Sequence, residues 1–158
     1  MKIDKQTSAE QFLYYIRIKN NSLPTQMWTD DSLTLEGLKE VYNTYETYLV
    51  YEEEAVIGGF LLLETDYSYW SEEENKDNAY YVHKLFVLPE FNGRGYAGKI
   101  MNEIKDIAKQ QGKDYLRLDC RRHNVKLNQL YEGLEFKFKR EYDSNFSGEM
   151  NLREYKVK

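Results

Sequence analysis

The chain is 158 residues long with a formal net charge of −5. That length suits one domain with a complete core. The acidic balance argues against a general nucleic-acid binder and suits a protein that handles cationic amines. No stretch is long and apolar enough to span a membrane, and no apolar segment follows Met1-Lys2-Ile3-Asp4-Lys5 as it would in a signal peptide. The single Cys120 excludes an internal disulfide framework, so a reducing cytoplasm is the expected home.

In chain order, Ser8 and Gln11 read as a capping box that opens a helix carrying Phe12, Leu13 and Ile16. Asn20-Asn21-Ser22 and Pro24 end it, and Met27 and Trp28 lie in the connection. A second helix is predicted over 31–42, with Leu35, Leu38 and Val41 inward. Two strands, 47–51 and 55–63, flank the turn Glu52-Glu53-Glu54. The segment 66–78 is acidic and aromatic. Its Glu72-Glu73-Glu74 run reads as a solvated loop, and Tyr67, Tyr69 and Trp70 either cover an acceptor pocket or simply pack. An apolar strand over 80–88 leads through a glycine-rich turn into a helix that stops at Gly112. The strand 115–120 follows, and strand–helix–strand at this length implies a right-handed parallel crossover. A short helix over 125–132 and two strands, 136–140 and 150–157, around a turn at 143–148 complete the chain.

The turn Pro89-Glu90-Phe91-Asn92-Gly93-Arg94-Gly95-Tyr96-Ala97-Gly98-Lys99 is the most telling stretch. Glycines between a strand and a helix leave several N–H groups pointing one way, and with the helix dipole they make a phosphate site. Three owners compete for it. A P-loop needs Ser or Thr after the Lys for magnesium, yet Ile100 stands there, on an inward stripe with Ile104 and Ile107. A dinucleotide fold leaves the strand directly through its first glycine. Here Pro89 to Asn92 intervene, and too little chain follows for a doubly wound sheet.

The third reading fits both this turn and a second segment. The turn resembles the acetyl-CoA motif of the GNAT family of N-acetyltransferases, Gln/Arg-x-x-Gly-x-Gly/Ala after an apolar strand ending Val-x-Pro. Asn92 stands in the Gln/Arg place, Gly95 is the required Gly, and Ala97 the Gly/Ala. The segment from Asn124 to Phe136 is similar to the family's closing motif, an Asn that opens a short helix ending Tyr-Glu-x-x-Gly-Phe. Asn124, Leu130, Tyr131, Glu132 and Phe136 match, while Glu135 replaces the Gly and Gly133 comes two residues early. The resemblance extends over nearly the whole chain and places a first strand near Lys2 to Lys5. It implies a single domain, 1–158, of α+β class with a mixed sheet: the acyl-CoA N-acyltransferase fold, mostly antiparallel, with a central parallel strand pair flanked by helices.

What the resemblance implies for function is acetyl transfer from acetyl-CoA to a primary amine of a small molecule or protein, by direct attack in a ternary complex. The pantetheine arm would pair with the backbone around Leu85, Phe86 and Val87 as an added strand. The diphosphate would rest on the N–H groups of Asn92, Gly93, Arg94, Gly95, Tyr96, Ala97 and Gly98, with Lys99 beside them. Asn124 would touch the pantetheine arm, cap the short helix, or both. The N–H of Val87 would stabilise the oxyanion, and Tyr131, at the family's general-acid tyrosine, would protonate the departing thiolate.

A lysine-like amine must also lose a proton, which costs roughly 4.6 kcal/mol near pH 7. His83 suits that task; strand alternation puts it on one face with Tyr81, Leu85 and Val87. A water chain is the alternative. Cys120 and His123 form a C-x-x-H pair without two further ligands, so no metal site is expected. Cys120 reads as a small core hydrophobe. Arg117 and Asp119 share a strand face and are expected to pair. The acceptor pocket would draw on Met27, Trp28 and the loop before Tyr80. The assembly is expected to be a monomer or homodimer, without nucleic-acid or membrane partners. A rival of another class, a non-catalytic CoA-binding sensor, would keep the glycine turn but not need Tyr131 or His83.

Overall fold

The computed structural model describes residues 1–158. Seven strands, β1 (Lys2–Lys5), β2 (Glu46–Glu52), β3 (Ala55–Leu63), β4 (Ala79–Val87), β5 (Tyr115–Arg121), β6 (Lys137–Ser144) and β7 (Gly148–Lys156), lie in the order β1-β2-β3-β4-β5-β7-β6. The helices are α1 (Glu10–Ser22), α2 (Leu35–Val41), α3 (Tyr96–Gln110) and α4 (Val125–Gly133). This is an α+β fold on a mixed, mostly antiparallel sheet whose one parallel pair is β4 with β5. The chain divides into two compact units, Met1–Leu63 with Lys84–Ile100, and Glu64–His83 with Met101–Lys158.

In the first unit, α1 buries Phe12, Leu13, Ile16 and Asn20, the i, i+1, i+4, i+8 stripe of an amphipathic helix. Phe12 meets Phe86 edge-on at 5.6 Å. Ser8 does not open a capping box. The helix starts at Glu10 with Ala9 at its cap, and the Ser8 hydroxyl accepts from Glu10 N–H just outside it. The helix expected over 31–42 is shorter and broken. A 3₁₀ turn, Asp30–Leu33, comes first, and Thr34 then caps α2 by accepting Gly37 N–H at 3.0 Å. Leu38 is buried as expected, but Leu35 and Val41 are exposed. A seven-residue helix presents two turns to the core, and Leu33 on the preceding 3₁₀ turn fills the inward place instead. Fully buried Asn20 ties down the α1–α2 connection: its side chain accepts from Met27 and Trp28 N–H and donates to the Trp28 carbonyl.

β3 holds a close backbone approach. A Cβ on Gly58 would lie 2.2 Å from the Phe86 carbonyl oxygen, so a glycine here lets β4 lie tight against β3. In β4 itself Lys84 has φ 52, a left-handed conformation for a long side chain inside a strand. The alternation expected to carry one face from Tyr81 through His83 to Val87 therefore does not run through; the period-two phase is interrupted at Lys84.

In the second unit, β4 and β5 pair in parallel over Ala79–Tyr81 and Tyr115–Arg117 alone, although both strands continue. β5 then pairs along its whole length with β7, and β7 with β6. Met101, Ile104 and Ala108 of α3 are buried, while Ile107 is half-buried, at the edge of its stripe. Arg117 is fully buried and does not pair with Asp119. It donates to Asp77 at 2.5 Å, to Glu154 and Tyr81 at 2.8 Å, and to the Glu74 carbonyl. Four acceptors around one guanidinium stabilise a charge that burial alone would penalise.

Candidate functional site

The glycine turn is built as a cradle. Leu88 N–H closes onto the Ile57 carbonyl at 2.8 Å, and Phe91 and Asn92 N–H donate back to Leu88 and Pro89 in a 3₁₀ turn. Gly93 and Gly95 then each take φ 75, which L side chains rarely adopt. The next backbone bond is Lys99 N–H to the Gly95 carbonyl, so the N–H groups from Gly93 through Gly98 have no acceptor within the protein. Open space lies over the glycines: a Cβ on Gly93 or Gly95 would meet nothing within 4 Å. Cations stand around this turn. The Arg94 guanidinium lies over Phe91 at 5.5 Å and the Lys99 ammonium over Tyr96 at 5.1 Å, while Lys19 of α1 donates to the Asn92 side chain at 3.0 Å. Tyr96 is steadied by its own bond to Glu52 at 3.0 Å. A site of bare donors, open volume and positive charge fits a diphosphate. Ile100 is fully buried, so the position where a P-loop presents its magnesium hydroxyl faces the core here.

On the same unit Lys84 reaches between two rings, 5.4 Å from Trp28 and 5.9 Å from Tyr42. Of the two residues expected at an acceptor pocket, Trp28 has a half-buried side chain and Met27 an exposed one.

The second unit carries the titratable candidates. His83 Nε2 sits 2.8 Å from Asp66 Oδ2, and Nδ1 lies 3.9 Å from Asp119 Oδ2. All three side chains are largely buried. Asp66 is fixed from several sides: its N–H donates to Asn75, its other carboxylate oxygen accepts from Ser68 N–H, and Asn75 donates to its carbonyl. The two carboxylates flanking His83 went unforeseen in the sequence. Asp66 lies 17 residues away in a loop, and nothing local marks it. The ligand atoms of Asp66, His83 and Asp119 lie within 4.8 Å of one another. Nε2 is within hydrogen-bond distance of Asp66, whereas Asp119 faces Nδ1 from beyond that distance.

Of the aromatics in that loop, Trp70 is buried against Tyr81 at 5.6 Å, whereas Tyr67 is exposed. The expected solvated acidic run is only partly so. Glu74 is bound by Arg140 at 2.7 Å and by Ser71 N–H at 2.8 Å. Burial would raise its carboxyl, but these bonds outweigh burial and hold it at about 2.

Tyr131, on α4, is 7 % exposed and packs edge-on against Phe136 at 6.0 Å. Its hydroxyl makes no hydrogen bond, and burial, with Cys120 and Asp119 nearby, pushes its pKa above the ordinary phenol value. It therefore stays protonated and able to donate. Asn124 caps α4, its side chain accepting Leu127 N–H at 3.0 Å. Cys120 is buried and burial pushes its thiol up to about 11, which suits a core hydrophobe and not a nucleophile. Its supposed partner His123 is exposed and pairs with Glu149. The turn after α4 closes despite its changed residues. Glu135, in the place of the Gly, takes φ 70, and Phe136 N–H returns to the Tyr131 carbonyl at 2.9 Å.

The model of the acetyltransferase (GNAT) family matches residues 12–136. The chain belongs to the GNAT family. An uncharacterized N-acetyltransferase, YhfO of Bacillus subtilis (strain 168), is 32% identical over 90 residues, a match covering 57% of this chain and 58% of that protein's length. Among solved structures, a spermidine N-acetyltransferase SpeG chimera from Vibrio cholerae and hSSAT superposes with a TM-score of 0.74 at 17% identity, covering 99% of this chain and 97% of that one. A GNAT acetyltransferase from Elizabethkingia anophelis with acetyl-CoA bound gives a TM-score of 0.69 at 15% identity, covering 98% and 97%. These structural likenesses establish the fold that GNAT membership implies.

Proposed function

We propose that this GNAT chain is an acetyl-CoA-dependent N-acetyltransferase acting on a primary amine of a small molecule or protein. The observation that carries the reading is the run of N–H groups without acceptors from Gly93 through Gly98, over two left-handed glycines with open space above them. It is a seat for the diphosphate of the acetyl donor. The domain is taken as residues 1–158, since β4 and α3 each run through both compact units.

In this reading the pantetheine arm pairs with the backbone around Leu85 to Val87, and Asn124 adds a side-chain contact. His83 takes the proton of the incoming ammonium. Asp66 holds the Nε2 edge of the imidazole, which leaves Nδ1 to receive the proton, and Asp119 faces the imidazolium that results. The two carboxylates also favour a cationic acceptor. The neutral amine attacks the thioester carbonyl, and the N–H of Val87 stabilises the oxyanion. As the carbon–sulfur bond breaks, Tyr131 donates its proton to the CoA thiolate. Its raised pKa keeps the phenol intact at every working pH.

The test is thiol release from acetyl-CoA with a panel of polyamines, amino acids, aminoglycosides and peptides. Turnover with at least one amine is expected. Tight CoA binding with no turnover on any of them would leave a non-catalytic CoA-binding module, and failure to bind CoA would refute the cradle itself.

A further inference from the structure

We infer that Lys19 of α1 binds the diphosphate of CoA, held in place by Asn92 and supplying the contact that a Gln or Arg at position 92 would otherwise make. The inference rests on the acetyl-CoA reading above and adds a residue from a different part of the chain.

Three observations carry it. First, Asn92 is shorter than a Gln or Arg, and both its backbone N–H and its amide oxygen are engaged. Its N–H is committed to the Pro89 carbonyl, and its amide oxygen accepts from the Lys19 ammonium at 3.0 Å. The amide thus fixes an ammonium at the edge of the turn, with two of that group's three donors still to be used. Second, Lys19 has no carboxylate partner. Its ammonium turns to the Asn92 amide rather than to an acid, in a chain where acids outnumber bases. Third, Arg94 and Lys99 form no ion pair either; both lie over aromatic rings of the turn. Three cations that make no direct salt bridge, with Glu52 the carboxylate that acts on Lys99, are gathered around N–H groups without acceptors, and the balance favours an anion.

A helix-terminal lysine commonly serves only to offset the dipole at the last carbonyls. Here the Lys19 and Asn20 carbonyls at the end of α1 are met by Ser22 and Leu23, and the Lys19 side chain turns to Asn92 instead. Lys19 is half-buried, and that burial lowers its pKa, so a bound diphosphate would restore part of the solvation the ammonium has given up.

The test is calorimetric titration of CoA and of dephospho-CoA into the wild type, Lys19→Met and Lys19→Arg, at about 50 and 200 mM salt. Lys19→Met should weaken both ligands about tenfold and flatten the salt dependence, and Lys19→Arg should retain most of the affinity. Turnover of S-acetylpantetheine, which has no phosphate, should be the same in all three proteins. Lys19→Gln repeats the test should the methionine disturb α1. A Lys19→Met protein that binds CoA within about twofold of wild type overturns the inference. So does a loss confined to CoA and absent with dephospho-CoA, because it would place Lys19 at the 3′-phosphate. Wild type that binds neither ligand would instead sink the acetyl-CoA reading itself.

Discussion

Gly58→Ala probes the spacing between β3 and β4 that sets the proposed oxyanion donor. The added Cβ would lie 2.2 Å from the Phe86 carbonyl oxygen and 3.2 Å from the Val87 Cα, against ordinary van der Waals contact from 3.4 Å. Backbone cannot rotate away as a side chain can, so β4 must retreat by about 1 Å at Phe86 and Val87. Overpacking of this kind costs about 1–3 kcal/mol. The lower unfolded-state entropy of alanine offsets about 0.4–1 kcal/mol of that. The net loss, up to about 2.6 kcal/mol, corresponds at this chain length to a Tm lower by up to roughly 10 °C. A displacement of about 1 Å in a positioning element can cost on the order of a hundredfold in rate. Turnover should therefore suffer far more than the modest stability loss implies. The assays are thermal denaturation and thiol release from acetyl-CoA, with Gly133→Ala as control, since a Cβ there meets nothing within 4 Å. Unchanged Tm and unchanged turnover in Gly58→Ala would show that the strand spacing does not govern the site.

Tyr131→Phe should lower kcat by about 10²–10⁴, the usual worth of a general acid. CoA affinity and Tm should stay near wild type because the hydroxyl makes no hydrogen bond to lose; unaltered kcat would remove the assignment. Asp66→Asn should shift the His83 titration, followed by NMR in a chain with two histidines, to lower pH, since a carboxylate 2.8 Å away favours the imidazolium. The acid limb of kcat/KM should move with it, and a limb that stays put would assign the base to another group. Glu74, held at about 2 against an ordinary 4.5, contributes stability that is present above about pH 4.5 and lost as pH falls toward 2. The stability difference between wild type and Arg140→Ala, read from denaturant midpoints, should shrink across that window. A constant difference would mean that the Glu74–Arg140 pair is not what depresses the carboxyl.

The parts of this molecule legible in the sequence are those with local chemistry. The stripe Phe12, Leu13, Ile16, the apolar run of β3 and the glycine turn announce themselves because periodicity and glycine act over a few residues. The two family motifs were readable for the same reason, including the departures at Asn92 and Glu135. The misses have a common cause in long-range contact. Arg117 was expected to pair with its strand neighbour Asp119, but Asp77 and Glu154 arrive from other elements and take it. The partner of His83 comes from a loop, and that of Asn92 from a helix 73 residues earlier. Leu35 and Val41 were assigned inward by periodicity over a helix that Thr34 starts late, and a stripe read over the wrong boundary points the wrong way. Glu135 and Lys84 carry positive φ without being glycine, so nothing in their identity marks the turn each makes.

The left-handed residue at Lys84 has an evolutionary consequence. Because the inward and outward phases are interrupted there, β4 is two half-strands written under separate rules. Ala79 to Val82 are buried on both sides and should accept only apolar exchanges, whereas beyond Lys84 burial alternates through Phe86 and Leu88. A saturation library over β4 should then yield two tolerance patterns that do not align when one period is drawn through the strand. Deleting or inserting one residue between them would move the second half alone, displacing the Leu85–Val87 backbone while leaving the pairing of Ala79–Tyr81 with β5 in register.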